Sequence, residues 1–231
     1  MHLRTCGKTL LASFGFDERF AIRAISDHKP CKVVAVALDT GSDAWSRVER
    51  AFSQLRVFAS SLRVESELVS VPYRGESLSR LVYNLARKIG GFIRVALEQG
   101  ELLVLLSGGP RLLVLGLYIL LSMLPEEYAK KITVRVEGEG FNALVEELLA
   151  DLRVPELDVL DRRLVALIIE RMDTGLGVSE AARLLGVAKS TVYRRLSALS
   201  EKGIAVRDEE KGRYYPSERA FLAASLHHVL G

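Results

Sequence analysis

Polar and apolar positions along the chain follow two regimes. Short, nearly unbroken apolar runs are followed by longer stretches in which apolar residues recur every third or fourth position. The runs are TLLASF at residues 9–14, KVVAVAL at 32–38, residues 63–71, ELLVLL at 101–106 and ITVRV at 132–136. Such runs suit strands covered on both faces, as in a parallel sheet. Segments 17–28, 44–61, 76–98 and 111–124 carry the spacing of helices with one buried face. Ser77 is placed to cap the third of these, and Gly90 and Gly91 are expected to break or bend it. A further helix is expected over 141–149. Strands alternating with helices imply βαβ units and a doubly wound parallel sheet.

At 151–158 the sequence DLRVPELD, with a proline and three acids, reads as a linker. It separates a Rossmann-like α/β domain, 1–150, from an α+β domain, 159–231. The second domain opens on an amphipathic helix, 159–172, and continues as VSEAARLLGVAKSTVYRRLSALSEKG at 178–203. Ser179 and Ser190 stand where N-caps are needed, and Gly186 stands where the chain must turn. Val192, Leu196 and Leu199 form an inward stripe. This is a helix-turn-helix, whose second helix enters the DNA major groove. Lys189, Ser190, Thr191, Tyr193, Arg194 and Arg195 cluster at the start of that helix as candidate DNA contacts. Hydroxyls there meet phosphates, and Arg reaches guanine edges. Segments 204–207 and 212–215 are expected to pair as a wing carrying Lys211, Arg213 and Tyr214. Ser217 is expected to cap a last helix running to Leu230. A helical hairpin used for protein contacts carries charges too. The agreement of turn glycine, caps, inward stripe and outward cations favours DNA.

Composition narrows the function classes. Charged residues make up 26% and hydrophobic ones 49%, which describes a folded globular chain. The net charge is +3, and all of the excess lies in the last third: residues 159–231 hold 12 Lys+Arg and 9 Asp+Glu, and the first 158 residues hold 20 of each. A basic unit beside a neutral one points to a polyanion partner. Cys6 and Cys31 form no C-x-x-C or Cys/His cluster, so no metal site is expected, and two thiols in a reducing cytosol are the simplest reading. The stretch VLLSGGPRLLVLGLYILL at 104–121 is oily, but Ser-Gly-Gly-Pro-Arg splits it into pieces too short to span a membrane. No secretory pattern opens the chain, and a cytoplasmic location is expected.

Ligands of doubly wound sheets bind beyond the carboxyl ends of the strands. Two loops qualify: Phe14-Gly15-Phe16-Asp17 after the first strand, and Ser107-Gly108-Gly109-Pro110-Arg111 after the fourth. The two glycines of the second loop expose backbone N–H groups, and a helix N-terminus behind them favours anions. A tight turn with glycines for packing alone accounts for the same residues. No G-x-G-x-x-G follows the first strand and no Gly-Lys-Ser/Thr follows the glycines, which disfavours nicotinamide and ATP enzymes.

A strand ending in GFDERF, a strand–loop LSGGPR and a C-terminal winged helix resemble the CRISPR-associated Rossmann-fold (CARF) transcription regulators of archaea. The resemblance implies a homodimer with one pocket shared across its two-fold axis. It implies cyclic oligoadenylate, commonly cyclic tetra-adenylate, as the regulatory ligand in place of a cofactor. It places Phe14, Gly15, Phe16, Asp17, Ser107, Gly108, Gly109 and Arg111 around that ligand, with Tyr73 beyond the third strand as a further contact. The chain is then a ligand-responsive regulator of CRISPR-associated genes that binds double-stranded promoter DNA, and it has no catalytic residues. The alternative is a ring nuclease that cleaves the ligand, with Ser107 and Arg111 supplying in-line geometry and charge stabilisation.

Overall fold

The computed structural model describes residues 7–41, 44–138, 144–153 and 157–230, with backbone alone for 226–230. It divides into two compact units, Met1–Ala150 and Asp151–Gly231.

In the first unit, strands β1 (Lys8–Ser13), β2 (Lys32–Asp39), β3 (Glu65–Pro72), β4 (Glu101–Leu105), β5 (Ile132–Glu137) and β6 (Leu144–Leu148) form one sheet in the order β3-β2-β1-β4-β5-β6. The first five are parallel and β6 is antiparallel to β5. Helices α1 (Arg19–His28) and α2 (Ala44–Ser61) cover one face, packing Phe20, Ile25, Phe52 and Leu55 against Leu10, Val33, Ala35 and Leu103. Helices α3 (Leu78–Gln99) and α4 (Arg111–Ser122) pack on each other and cover the opposite face; a short α5 (Glu126–Ala129) follows them. Double coverage explains the apolar runs: β1, β2 and β4 are buried along almost their whole length.

Two expectations change here. No helix forms over the described part of 141–149; Leu144–Leu148 is instead the edge strand β6, and Phe141 lies outside the described residues. The pairing is tertiary: β5 offers an open edge, and Arg135 of β5 sits opposite Glu146 of β6. A local preference of a few tenths of a kcal/mol per residue yields to such a ladder, as it often does (about 0.7 kcal/mol spans most helix propensities). The α3 helix also runs unbroken through Gly90 and Gly91, with Ser77 accepting from the Arg80 N–H at its start. Cys31 is exposed and disulfide-bonded, which corrects the free-thiol reading for that residue; Cys6 lies outside the described residues.

The second unit contains α6 (Val159–Glu170), β7 (Leu176–Gly177), α7 (Val178–Leu185), α8 (Lys189–Glu201), β8 (Ala205–Asp208), β9 (Arg213–Pro216) and α9 (Glu218–Leu230). Its small antiparallel sheet has the order β7-β9-β8, with β8 and β9 forming the wing hairpin. Leu164, Ile168, Leu176, Val192, Leu196, Leu199, Ile204 and Tyr214 fill the core. Tyr214 is only 1% exposed, so it belongs to this core and not to the outer face of the wing. Neither expected serine is an N-cap: Gly177 holds that position for α7 and Ala188 for α8, while Ser179 and Ser190 lie inside the first turns. Ser217 stands immediately ahead of α9, accepts the Ala220 N–H on its carbonyl, and directs its hydroxyl to the carbonyls of Gly203 and Ile204. Among the described residues no helix is long and apolar enough to cross a membrane, and no cluster of His, Cys, Asp or Glu could hold a metal ion.

Candidate functional site

The chain enters the first sheet at its centre. It builds outward from β1 through β2 to β3, and then returns along α3 to lay β4 on the other side of β1. The loops after β1 and β4 therefore leave adjacent strands in opposite directions, which opens a crevice between them. Their backbones touch. A Cβ on Gly15 would stand 2.7 Å from Gly109 Cα, one on Gly108 2.6 Å from the Ser13 oxygen, and one on Gly109 2.6 Å from the Phe14 oxygen. Gly109 also has φ +78°, where side chains are strained. The packing account of these glycines is therefore real.

The same glycines also line an open space. A cavity of about 450 Å³ is bounded by Phe14, Gly15, Phe16 and Asp17 of the first loop and by Gly108, Gly109 and Pro110 of the second. Its remaining wall is Phe20 of α1, Leu38 and Thr40 at the end of β2, and Ala44 and Val48 of α2. These last five residues were not singled out in the sequence. Phe20, Leu38 and Val48 carry the ordinary signature of core positions, and only the sheet order brings the β2–α2 connection beside the crevice.

Three expected contacts stand apart from the cavity wall. The Ser107 hydroxyl accepts the Glu137 backbone N–H at 2.6 Å, which ties the second loop to the end of β5. The Tyr73 hydroxyl donates to the Glu76 carbonyl at 3.2 Å. Arg111 is the first residue of α4, exposed and without a hydrogen bond or ion pair among the described residues. Pro110 is the cap residue ahead of it.

Electrostatics favour an anion here more than the sequence suggests. Asp17 is held by Arg19 through contacts of 2.6 Å and 2.9 Å, and these hydrogen bonds keep its carboxyl below the usual carboxylate range. Its charge is thus already matched. Arg47 of α2 lies with its guanidinium 4.1 Å from the centre of the exposed Phe16 ring. Behind the second loop, Arg135 is 2% exposed and surrounded by acids: Asp27 at 2.7 Å, Glu137 at 2.7 Å and Glu146 at 2.8 Å. Burial opposes its charge, but the hydrogen bonds it donates to Asp27 and Glu137, with their negative charge, outweigh it and raise its pKa. Arg23 and His28 of α1 complete the cluster, on Glu137 and Glu146. Nothing in ITVRV signals this group, because its partners lie at 23, 27, 28, 137 and 146.

In the second unit, Gly186 ends α7 with φ +68° and donates its N–H to the Ala182 carbonyl. Helix α8 then turns Val192, Leu196 and Leu199 inward. Lys189, Ser190, Tyr193 and Arg194 are exposed on its outer side, and Thr191 is half-buried. Arg195 does not join them: it reaches back to Asp158, the N-cap of α6, at 2.7 Å and to Asp161 at 3.3 Å. Asp161 is buried, which pushes its carboxyl up, and the neighbouring Asp158 adds to this; Arg195 is the counter-charge. On the wing, Arg213 donates to the carbonyls of Thr174 and Gly175, at 3.0 and 2.7 Å, and so braces the turn before β7. Lys211 stays near Asp208, at 3.6 Å. Arg207, not anticipated, lies 5.9 Å from the Tyr193 ring.

Comparison with known proteins agrees with this architecture. Residues 8–147 match the model of the Csa3 CRISPR-associated Rossmann-like domain, and residues 167–209 match that of the IclR helix-turn-helix domain. No curated protein matches the chain. Among solved structures, Enterococcus italicus Csm6 bound to cyclic hexa-2'-fluoro-hexa-dAMP superposes with a TM-score of 0.51 at 10% identity, over 85% of this chain and 55% of that one. Can2 from Sulfobacillus thermosulfidooxidans, in complex with cyclic tetra-adenylate, gives 0.41 at 9% identity, over 96% and 65%. A type III CRISPR defence DNA nuclease activated by cyclic oligoadenylate gives 0.42 at 16%, over 91% and 37%. The chain thus spans only part of each of these larger proteins, and the likeness is one of fold. The Rossmann-like match covers more than half of the sequence, so the chain belongs to the Csa3 family of CRISPR-associated Rossmann-like proteins, here joined to a helix-turn-helix of the IclR type.

Proposed function

We propose that the protein is a ligand-responsive transcription regulator of CRISPR-associated genes. Its first unit takes cyclic tetra-adenylate, and its second binds double-stranded promoter DNA. The observation that carries this reading is the cavity at the β1/β4 crevice, floored by bare glycine backbone, in a chain whose other unit presents Lys189, Ser190, Tyr193 and Arg194 on one helix. Apolar walls suit a base, and the exposed Arg47 and Arg111 suit phosphates. The cyclic adenylate in the Csm6 relative supports the ligand class.

A two-fold symmetric ring fits a homodimer in which each chain supplies one cavity. Exposed apolar residues on and after α4, Leu115 at 47%, Tyr118 at 38% and Met123 at 71%, support a partner on that face. Binding without cleavage is the favoured reading, because the Ser107 hydroxyl is occupied by the Glu137 amide and does not face the cavity.

Regulation requires that the ligand bind the DNA-competent and incompetent states of the dimer unequally. Titration calorimetry with cyclic tetra-adenylate is expected to show saturable binding of one ring per two chains, and DNA affinity is expected to change when the ring is present. Equal DNA affinity with and without bound ring overturns the coupling. Linear products from labelled ring, lost in Arg111→Ala, would replace it with the nuclease reading.

A further inference from the structure

Glycine weakens a helix interior because it has the most backbone freedom to lose. Gly116 in α4 has a reason within the chain, since a Cβ there would stand 3.0 Å from Leu85 Cδ1 of α3. Gly90 and Gly91, side by side in the middle of α3, have no such reason. A Cβ on either would meet nothing within 4 Å, and neither residue has a positive φ. Gly91 is exposed.

The same side of the helix is cationic. Within α3, Arg80, Arg87, Lys88 and Arg94 face a single acid, Glu98, four positions after Arg94, and Glu76 stands four positions before Arg80. At 3.6 residues per turn, Arg80, Tyr83, Arg87, Gly91 and Arg94 fall along one stripe, about 21 Å from end to end. All five are exposed. Tyr83 is 61% exposed, and the Arg87 guanidinium lies 5.9 Å from its ring. None of the four cationic heads takes part in a salt bridge or hydrogen bond among the described residues. A helix face built only for solvation intersperses acids three or four positions away; here they stand only at the two ends, and Arg87 and Lys88 have none at that spacing. Between its flanking acids this stripe is cationic, with an aromatic ring and a bare backbone patch at its centre.

We propose that this face of α3 is a second nucleic-acid contact, which grips the phosphate backbone of duplex DNA without reading bases. The three arginines repeat every seven residues, about 10.5 Å apart, and a regular array of guanidinium donors suits a linear polymer of phosphates. The glycines let the helix backbone come close to it. The inference rests on the DNA-binding reading of the second unit only for its choice of duplex DNA as the polyanion.

The test measures binding of the full chain to a random-sequence duplex as salt is varied. It compares the wild type with Arg80→Gln/Arg87→Gln/Arg94→Gln, with the matching triple Lys variant, and with Arg194→Ala on α8. Each phosphate contact contributes about 0.9 to the slope of log K against log salt, so the Gln variant is expected to lose about 2.7. That means about forty-fold less affinity lost over a four-fold rise in salt. The Lys variant keeps its charge and is expected to keep the wild-type slope. Gly91→Ala is expected to melt at a higher temperature yet bind the duplex more weakly. A wild-type slope in the Gln variant, with a reduced one in Arg194→Ala, overturns the α3 contact and leaves the recognition helix standing. Absence of salt-dependent binding in the wild type overturns both.

Discussion

At Gly109 and at Gly186 the backbone turns with similar positive φ, +78° and +68°, just ahead of helices beginning at Arg111 and Lys189. The surroundings of the two turns have little in common. Gly109 lies against the Phe14 backbone, where a Cβ would stand only 2.6 Å from the Phe14 oxygen, and its loop is further held through Ser107 to Glu137. Gly186 has nothing within 4 Å of the same imagined atom. The first turn is fixed by what presses on it, and the second by its own dihedral and its hydrogen bonds back to the Ala182 carbonyl. A ligand cavity assembled from two contacting loops needs the first kind of constraint. A helix-turn-helix, whose core lies on the inner sides of its helices, manages with the second.

The largest effect that would sharpen this contrast comes from behind the second loop. Replacing Arg135 with Met leaves Asp27, Glu137 and Glu146 facing one another with their buried counter-charge gone. A loss of about 3–5 kcal/mol in unfolding free energy is expected, readable by urea denaturation. Gly109→Ala comes next, at about 3 kcal/mol or more, since overpacking against backbone adds to the cost of the dihedral. It should also abolish binding of cyclic tetra-adenylate. Gly186→Ala carries the dihedral cost alone, about 1–2 kcal/mol, and should leave ligand binding intact. Equal losses from the two Gly→Ala changes would break the comparison.

Asp17→Asn is expected to have the smallest effect, and pH reveals it. The Asp17 carboxyl titrates below its ordinary value of 3.8 because Arg19 stabilises its charge. Its contribution is therefore present above 3.8 and is lost as pH falls through the lower, folded-state value. Wild type and Asp17→Asn should differ slightly at neutral pH and converge in acid. A difference that persists in acid would mean that Asp17 acts by packing and not by charge.

How legible these features were in the sequence depends on how local their causes are. Strands β2 and β4 announced themselves as apolar runs, because burial on both faces is written residue by residue. Ser77 was legible as a cap because its partner is three residues away. Strand β6 was not, because LVEEL has no strong strand pattern and its conformation comes from pairing with β5. Arg194 and Arg195 are neighbours of one chemical type; only the fold decides that one faces outward and the other is claimed by Asp158 and Asp161. The glycines of the cavity were visible, but its apolar wall was not, since Phe20, Leu38 and Val48 look the same whether they line a cavity or fill a core. The hydrogen bond between Ser107 and the Glu137 amide is not legible in the sequence, because its two ends stand 30 positions apart.

Asp158 shows how one bond can narrow the path of sequence drift. Its carboxylate caps α6 through the Asp161 N–H and at the same time holds Arg195 of α8. Ser, Thr and Asn serve nearly as well as Asp for capping alone, so an isolated helix would let all four interchange over generations. Here only a carboxylate meets both demands. Related chains that keep an arginine at the position of Arg195 should therefore keep an acid at the position of Asp158, and the two should be lost together.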